Sequence, residues 1–211
     1  MTVPSAKRVC SFVLVVVAGC DANDPAPPRS SPSVVDGGAD YPAGPYGVTS
    51  GTVIANISWE GWREPMAVAY DSTAFETVAL SDYFDPDGTR GYRAIFVNAS
   101  ARWCSICKME QQHIRQKHAI WEPRGVVFIE TLFEDIGTGP ASPKDLVAWG
   151  STYQIDWILV LDPTNKLGRF FDRSASPMNM IINARTMEIR DIVTGMPEDA
   201  WWTNHLEPLT Q

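Results

Sequence analysis

Two cysteines three residues apart, directly after a long apolar run, constrain this 211-residue chain more than any other feature. The run spans residues 94–101, and the sequence Trp-Cys-Ser-Ile-Cys follows at residues 103–107. A buried strand that leads into a Cys-x-x-Cys pair at the start of a helix is typical of a dithiol redox site. Helical N–H groups and the helix dipole favour a thiolate there. They lower a cysteine pKa from about 8.5 to about 3.5–7.5, which predicts that Cys104 is the nucleophile and that Cys107 closes the disulfide.

The first 19 residues have the pattern of a bacterial export signal. Lys7 and Arg8 precede the apolar segment 9–18, which is shorter than the roughly 20 residues needed to span a bilayer. This segment leads into Val-Ala-Gly-Cys20, which resembles a lipobox, the motif whose cysteine is lipidated and becomes the new N-terminus. The sequence therefore predicts a lipoprotein signal peptide at residues 1–19 and lipid attachment at Cys20. An ordinary signal peptide with a chance cysteine is the alternative.

The next two segments differ in composition. Residues 20–47 are rich in Pro, Ser and Gly and contain few large apolar side chains, so they cannot bury enough surface to offset their chain entropy. We expect them to form a flexible tether behind the lipidated Cys20. Residues 48–211 have the size of one domain with its own hydrophobic core.

Charge and cysteine usage narrow the classes of function. The chain has a formal net charge of −8, and loss of Lys7 and Arg8 with the signal leaves 15 basic and 25 acidic residues, a net charge of −10. The sequence contains no basic patch, which argues against nucleic acid as a partner. Of the 4 cysteines, Cys10 leaves with the signal and Cys20 takes the lipid. An exported domain with one remaining close pair is a poor disulfide scaffold and a good dithiol switch.

Hydrophobic periodicity predicts strands that alternate with helices, and hence an α/β domain around a mixed sheet. The predicted strands are 52–59, 75–80, 93–99, 126–132, 157–161, 178–182 and 188–193, and the predicted helices are 105–121, 143–153, 166–171 and 198–206. Within the first helix, the residues at helical spacing that we expect to face the core are Ile106, Met109, Ile114, Lys117, Ile120 and Trp121. Six further tryptophans are expected to pack in the core or at its edge: Trp59, Trp62, Trp149, Trp157, Trp201 and Trp202.

Residues 98–107 resemble the thioredoxin fold, and within it the periplasmic branch of TlpA-like and cytochrome-c-maturation thiol–disulfide oxidoreductases. The family stretch Asn-Phe-Trp-Ala-x-Trp-Cys-x-x-Cys is matched at Asn98, Ala101, Trp103, Cys104 and Cys107, and it is not matched at Ala99 and Ser100. The resemblance covers roughly residues 48–200. It implies an α/β, thioredoxin-like three-layer sandwich with a central mixed sheet, an N-terminal strand extension and an inserted helix–strand at 143–161.

The same resemblance implies further site residues. Ser176-Pro177 stands where the fold places a cis-proline beside the dithiol, with the preceding backbone pairing with bound substrate. Glu110 stands where cytochrome-c-maturation members carry a glutamate that could shuttle a proton for the resolving cysteine. Trp103 corresponds to a tryptophan that shields the disulfide. Thioredoxin itself has a buried aspartate where this chain has Asn98, whose amide cannot take a proton, and this departure gives Glu110 more weight.

Three alternatives remain open from the residues. A metal site would have to collect Cys104 and His118, which lie about 21 Å apart on one helix at about 1.5 Å per residue, while His113 lies between them. The metal alternative includes a copper carrier of the Sco type, which would need Cys-x-x-x-Cys and a distant histidine. Only His205 is distant from the cysteine pair. A peroxiredoxin would carry threonine where this chain has Ala101. The third alternative is a partner-binding lipoprotein with a vestigial dithiol.

The sequence therefore predicts a membrane-anchored, extracytoplasmic thiol–disulfide oxidoreductase that maintains cell redox homeostasis. Cys104 attacks, Cys107 resolves with help from Glu110, and no metal or cofactor is expected. The expected partners are protein thiols or disulfides and a membrane electron donor or acceptor. We expect a monomer, anchored through Cys20 to a bacterial membrane and facing the periplasm or the cell exterior. The sequence leaves the direction open, because the same dithiol can reduce or oxidise a partner.

Overall fold

The computed structural model describes residues 41–211. The predicted signal peptide, the lipidation site Cys20 and the tether up to residue 40 lie outside the described residues. The end of the predicted tether lies inside them and contacts the domain. The Tyr41 hydroxyl donates to the Ile54 carbonyl oxygen at 2.9 Å, and the Tyr41 ring packs 5.8 Å from the Phe84 ring. The folded part therefore includes Tyr41, ahead of the expected start at residue 48.

Seven strands form one mixed sheet across residues 41–211. They are β1 (Ser58–Trp62), β2 (Glu76–Ala79), β3 (Ala94–Ala101), β4 (Val126–Glu134), β5 (Ile158–Leu161), β6 (Met178–Asn183) and β7 (Ile189–Thr194). Their order across the sheet is β2-β1-β5-β4-β3-β6-β7. Strands β3, β4 and β5 are parallel, and the other pairs are antiparallel. The predicted α/β fold with a central mixed sheet is confirmed, and β1 with β2 forms its N-terminal extension.

The described chain also contains three α-helices, α1 (Ser105–Trp121), α2 (Pro143–Tyr153) and α3 (Asp199–Leu206). Helix α1 connects β3 to β4, and α2 connects β4 to β5, because parallel neighbours need a crossover. Pro143 occupies the first turn of α2, where its missing N–H costs no hydrogen bond, and α2–β5 is the expected insertion. Across residues 41–211, no helix combines the length and the apolar character needed to cross a bilayer.

All three helices contact the same face of the sheet. Alternate residues of a strand point to the same face, and the register pairs Phe96 with Phe128 and Asn98 with Glu130 across β3 and β4. These residues contact one helix each: Asn98 contacts Glu110 of α1, Glu130 contacts Trp149 of α2, and Phe96 and Phe128 contact Trp202 of α3.

The opposite face is covered in part by irregular chain. The short helix predicted at 166–171 is present as a 3-10 helix at Lys166–Arg169, two residues shorter than predicted. The Asp162 carboxylate accepts hydrogen bonds from the backbone N–H groups of Lys166 and Leu167 at 2.9 and 3.2 Å, which caps one turn. Phe171, from the same segment, packs 5.9 Å from Phe133 of β4.

The first predicted strand is shifted along the chain. Strand β1 is Ser58–Trp62 rather than 52–59. Residues 52–54 instead lie against the connection between β6 and β7, where the Ile54 N–H donates to the Met187 carbonyl oxygen at 2.9 Å. The alternating pattern at 52–59 is therefore divided between an isolated antiparallel bridge from Val53 to Glu188 and the first two residues of β1.

Helix α1 turns a different face to the core than its apolar pattern predicts. Ile106, Met109 and Ile120 are exposed, Met109 by 62%. The buried side chains include Glu110, Gln111 and Lys117 as well as Cys107, Ile114 and Trp121. The prediction is correct for Ile114, Lys117 and Trp121 and wrong for the three exposed residues. The register of the helix is set by Cys107, which must point inward to reach Cys104, and the polar residues one turn later follow it.

Candidate active site

Cys104 and Cys107 form a disulfide at the N-terminal end of α1, with Cα atoms 5.3 Å apart. Cys104 is the N-cap residue, and its Sγ accepts a hydrogen bond from the Cys107 N–H at 3.0 Å. The Cys104 N–H donates to the Ala101 carbonyl oxygen at 3.2 Å, which turns the chain from β3 into the helix. Cys104 is 3% exposed and Cys107 is fully buried. Of the two sulfurs, Cys104 is therefore the one that a partner can approach.

The loop before β6 brings Ser176 and Pro177 to the dithiol. The Ser176 carbonyl oxygen lies 3.6 Å from the Cys104 Sγ, and the Ser176–Pro177 peptide bond is cis. The Ser176 hydroxyl donates to the Arg173 carbonyl oxygen at 2.6 Å. Strand β6 pairs with β3 directly after this loop. The position of the Ser176 carbonyl beside Cys104 is therefore fixed by the sheet.

Trp103, the residue before Cys104, is tied to the sheet through Glu134. Its half-buried indole Nε1 donates to Glu134 Oε2 at 2.7 Å, and Arg173 Nη1 donates to Glu134 Oε1 at 2.9 Å. Glu134, the last residue of β4, thus links the residue before Cys104 to the turn before Ser176. Sequence reasoning missed Glu134.

Glu110 is fully buried one helical turn after Cys107, on the same inner face of α1. Its Oε1 accepts a hydrogen bond from Asn179 Nδ2 at 2.8 Å, and its Oε2 accepts one from Asn98 Nδ2 at 3.0 Å. Burial raises the pKa of Glu110 to about 8; the two amide donors oppose the rise, and the charge of Glu130 adds to it. Glu110 can therefore gain and release a proton near neutral pH.

Asn98 belongs to a row of buried polar residues that crosses three strands. The register pairs Asn98 of β3 with Asn179 of β6 and with Glu130 of β4. The Asn98 amide also donates to Asn179 Oδ1 at 2.9 Å, and the Ser100 hydroxyl donates to Asn98 Oδ1 at 2.7 Å. Asn98 is the fixed centre of this row, and its amide does not titrate.

Glu130 has a cluster of its own at the other end of this row. Its Oε1 accepts hydrogen bonds from Gln111 Nε2 at 2.8 Å and from Trp149 Nε1 at 2.6 Å, and its Oε2 accepts one from Trp157 Nε1 at 3.1 Å. Gln111 Nε2 also donates to the Cys107 carbonyl oxygen at 3.2 Å. Burial raises the pKa of Glu130 to about 7, and the three N–H donors oppose the rise.

Sequence reasoning missed Glu130, Gln111 and Asn179 as well as Glu134. Glu130 and Glu134 are the two carboxyls of strand β4, whose other residues are apolar except for Thr131. A carboxyl inside a buried strand is costly unless it is hydrogen-bonded, so these two carboxyls were the available signal. Gln111 and Asn179 carry no comparable mark, because amides are common on solvated helix faces and in strands that are not buried.

The two histidines of α1 have packing roles. His113 lies 3.8 Å from Asp199 and packs against Trp202, and His118 packs between Phe128 and Trp157. Burial lowers the pKa of both imidazoles. Residues 41–211 contain no group of three or more side chains placed to hold a metal ion. Ala101, where a peroxiredoxin would carry a hydroxyl, is buried at the end of β3.

No protein-family model matches the chain, and no curated protein sequence matches it. Solved structures resemble it along most of its length. The thiol:disulfide interchange protein DsbE from Chlorobium tepidum is 16% identical over 77% of this chain and 99% of that chain, with a TM-score of 0.59. A secreted thiol-disulfide isomerase from Corynebacterium glutamicum is 12% identical over 75% of this chain and 85% of that one, with a TM-score of 0.57.

A third similar structure is the exposed lipoprotein thioredoxin from Streptococcus pneumoniae. It is 20% identical over 74% of this chain and 100% of that chain, with a TM-score of 0.51. At these identities the likeness establishes the fold. The chain has a thioredoxin-like fold, similar to that of the DsbE-type interchange proteins, and the corresponding prediction is confirmed.

Proposed function

We propose that this chain is an extracytoplasmic thiol–disulfide oxidoreductase that exchanges disulfides with partner proteins through Cys104 and Cys107. The observation that carries the proposal is the disulfide at the N-terminus of α1, with Cys104 Sγ 3.6 Å from the Ser176 carbonyl oxygen. The solved structures that share the fold bear names of thiol–disulfide proteins, which supports the same chemistry here.

Cys104 is the nucleophile in this proposal. The Cys107 N–H that points at its Sγ stabilises a thiolate, and the dipole of α1 acts in the same direction. The Cys104 thiolate attacks a partner disulfide, one partner sulfur leaves as a thiolate, and a mixed disulfide forms. The partner strand lies beside the Ser176 carbonyl and Pro177, and Trp103 shields the sulfurs from solvent.

Cys107 completes the exchange, with Glu110 as its proton acceptor. The Cys107 thiol gives its proton to the Glu110 carboxylate, and the resulting thiolate attacks Cys104 Sγ. The bond between Cys104 and the partner breaks, the second partner sulfur leaves and takes up a proton, and the Cys104–Cys107 disulfide forms. The reverse sequence oxidises a partner dithiol. The raised pKa of Glu110, about 8, suits a group that takes up and returns a proton near neutral pH.

The proposed location of the domain is the surface of a bacterial membrane, on the side of the periplasm or the cell exterior. A lipid on Cys20 would hold the monomeric domain there, with residues up to 40 as its tether and a membrane thiol carrier as electron donor or acceptor. The lipoprotein thioredoxin among the similar structures supports this arrangement. Detergent-phase partitioning of the expressed protein tests it: the wild type should enter the detergent phase and Cys20→Ala should not, and equal partitioning would contradict the anchor.

Trapping tests the exchange itself. Cys107→Ser should hold partners as mixed disulfides on Cys104, while Cys104→Ser should hold none. Reduction of insulin in the presence of dithiothreitol should be lost in Cys104→Ser. In Glu110→Gln it should be slowed about 100-fold, at the low end of what a positioned proton acceptor contributes. Glu188→Gln, in the connection between β6 and β7 at the end far from the dithiol, is the control and should keep the wild-type rate. Capture of partners by Cys104→Ser instead would reverse the two cysteine roles.

The direction of exchange follows from the midpoint potential of the Cys104–Cys107 couple. A value near that of thioredoxin, about −270 mV, would identify a reductase, and a value near −120 mV would identify an oxidant. Equilibration with glutathione or dithiothreitol at defined ratios measures it. A disulfide that exchanges with neither reagent would contradict the proposed function.

A further inference from the structure

Glu130 is a buried carboxyl that takes no part in the exchange proposed for Cys104, Cys107 and Glu110. It is 1% exposed, and its oxygens contact three neutral N–H donors from Gln111, Trp149 and Trp157. None of the ion pairs in residues 41–211 includes it. A carboxyl held by donors alone is built to carry negative charge, yet burial without a cation disfavours that charge. Such a site is poised between its two protonation states.

Glu130 is linked to the resolving cysteine through one side chain. The Gln111 amide nitrogen donates both to Glu130 Oε1 at 2.8 Å and to the carbonyl oxygen of Cys107 at 3.2 Å. Gln111 Oε1 is buried and has no hydrogen-bond partner within the described structure. If Glu130 is protonated, its new O–H needs an acceptor, and a turn of the Gln111 amide would offer this oxygen. The same turn would withdraw the N–H from Cys107.

We infer that Glu130 is a positioning residue for the redox step: it binds a proton when the Cys104–Cys107 disulfide is reduced, releases it when the disulfide re-forms, and acts on Cys107 through Gln111. This inference rests on the proposed function, because it assumes that the disulfide is reduced and re-formed in use. It adds a second proton site to the one assigned to Glu110.

The electrons and protons balance without a further reactant. A partner dithiol that becomes a disulfide gives up two electrons and two protons, and the electrons break the Cys104–Cys107 bond. One proton goes to the Cys107 sulfur. Where Cys104 remains a thiolate, the second proton goes to Glu130, because the new negative charge increases the proton affinity of a nearby carboxylate.

Other titratable groups around the cluster do not supply the missing cation. Glu110 of α1 is also a carboxyl, and its negative charge repels that of Glu130. Arg115 of α1 donates hydrogen bonds to the carbonyl oxygens of residues 153 and 154. Its guanidinium carbon lies 5.7 Å from the centroid of the Trp157 ring. Two further neighbours are His118 of α1, which is paired with Asp156, and Tyr153 of α2, whose pKa is raised chiefly by burial and further by the charge of Glu130.

The pH dependence of the midpoint potential tests the inference. Equilibration with dithiothreitol is measured from pH 6 to pH 9 for the wild type, Glu130→Gln and Glu110→Gln. If reduction raises the pKa of Glu130 by about one unit, the redox equilibrium constant of the wild type relative to Glu130→Gln should change about tenfold over this range, or about 30 mV for two electrons. The change should begin near pH 7, where Glu130 titrates in the disulfide form.

Two tryptophan variants keep the test valid if Glu130→Gln does not fold. Trp157→Phe removes a donor to Glu130 Oε2, which should raise the pKa of Glu130 and move the inflection to higher pH. Trp202→Phe is the matched control, because Trp202 is equally buried but its Nε1 has no hydrogen-bond partner among the described residues. It should lose stability without moving the inflection.

An infrared difference spectrum between the reduced and disulfide forms provides a direct signature. At pH 8 it should contain the C=O stretch of a newly protonated carboxyl, which should persist in Glu110→Gln and Trp202→Phe and vanish in Glu130→Gln. Parallel potential–pH lines for the wild type and Glu130→Gln, or an unmoved inflection in Trp157→Phe, would overturn the inference and leave the proposed function intact. A wild-type disulfide that does not equilibrate with dithiothreitol at all would overturn both.

Discussion

The three central strands have two halves that are equally buried and chemically opposite. In the half far from the dithiol, strands β3, β4 and β6 contribute an apolar layer that includes Phe96, Phe128 and Ile181, paired in register. In the half next to the dithiol, the same strands contribute Asn98, Glu130 and Asn179, also in register. Only one residue, Val97, separates Phe96 from Asn98 along β3.

The difference between these halves shows how the redox site affects the stability of the fold. Burial of an aromatic ring stabilises the apolar half. The polar half buries two carboxyls without a cation, and each group there depends on its hydrogen-bond partners. We therefore expect the apolar half to set the stability of the domain and the polar half to set how that stability and the redox equilibrium respond to pH.

The largest expected effect comes from opening the apolar half. Phe96 packs 4.5 Å from Trp202 and 5.1 Å from Phe128, measured between ring centroids, so Phe96→Ala should lower the free energy of unfolding by about 3–5 kcal/mol. Urea unfolding measures the loss, which should be the same at pH 6 and pH 8. A strongly pH-dependent loss would contradict the separation of the two halves.

The pH dependence of stability tests the polar half. The folded-state pKa values of Glu110 and Glu130 are raised from 4.5 to about 8 and about 7. The folded protein therefore holds protons that the unfolded chain has released. Its stability is full below about pH 4.5 and falls as the pH rises towards 8, by at most about 1.4 kcal/mol per pH unit for each carboxyl.

The control for this pH prediction is the double variant Glu110→Gln/Glu130→Gln. Its urea unfolding curve should vary less with pH than that of the wild type, both measured as disulfides. His113 and His118, whose pKa values burial lowers, contribute equally to both proteins and cancel in the difference. A wild type whose stability does not fall from pH 5 to pH 8 relative to the double variant would show that these carboxyls are charged throughout.

A smaller loss of folding stability is expected when Asn98, the centre of the polar row, is replaced. Asn98→Ala removes donors to Glu110 and Asn179 and leaves their buried atoms without a partner. The expected cost is about 1–3 kcal/mol in urea unfolding. Because Asn98 favours the charged form of Glu110, the pKa of Glu110 should also rise. A variant that is less stable but keeps the wild-type pH profile would limit Asn98 to a packing role.

The smallest effect is expected for a substitution on the exposed face of α1, compared with one on its buried face. Met109 is 62% exposed and Ile114 is fully buried, although both belong to the apolar pattern of the helix. Met109→Gln should change the free energy of unfolding by no more than about 0.5 kcal/mol, while Ile114→Ala should lower it by about 2–5 kcal/mol. Similar losses for both, measured by urea unfolding, would mean that α1 presents the face that its sequence pattern predicts.

Much of the fold could be predicted because its signals are local. The apolar run before Cys104, the Pro at the start of α2 and the alternation of strands with helices each depend on residues close in sequence. The prediction was wrong where a local pattern has two structural solutions. The alternation at 52–59 is divided between an isolated bridge at Val53 and the first residues of β1. The apolar residues of α1 mark a possible inner face, but Cys107 sets a different one.

The site divides in the same way. Local sequence determined the dithiol, its place at the junction of β3 and α1, and the Glu110 position one turn later. Only the tertiary structure decided that Asn98 pairs with Asn179 and Glu130, and that Trp149 and Trp157 hold Glu130. Those contacts depend on the register of strands that are far apart in sequence, and on helices packed over them. No periodicity within a segment carries that information, because each segment is equally compatible with other partners until the whole sheet has formed.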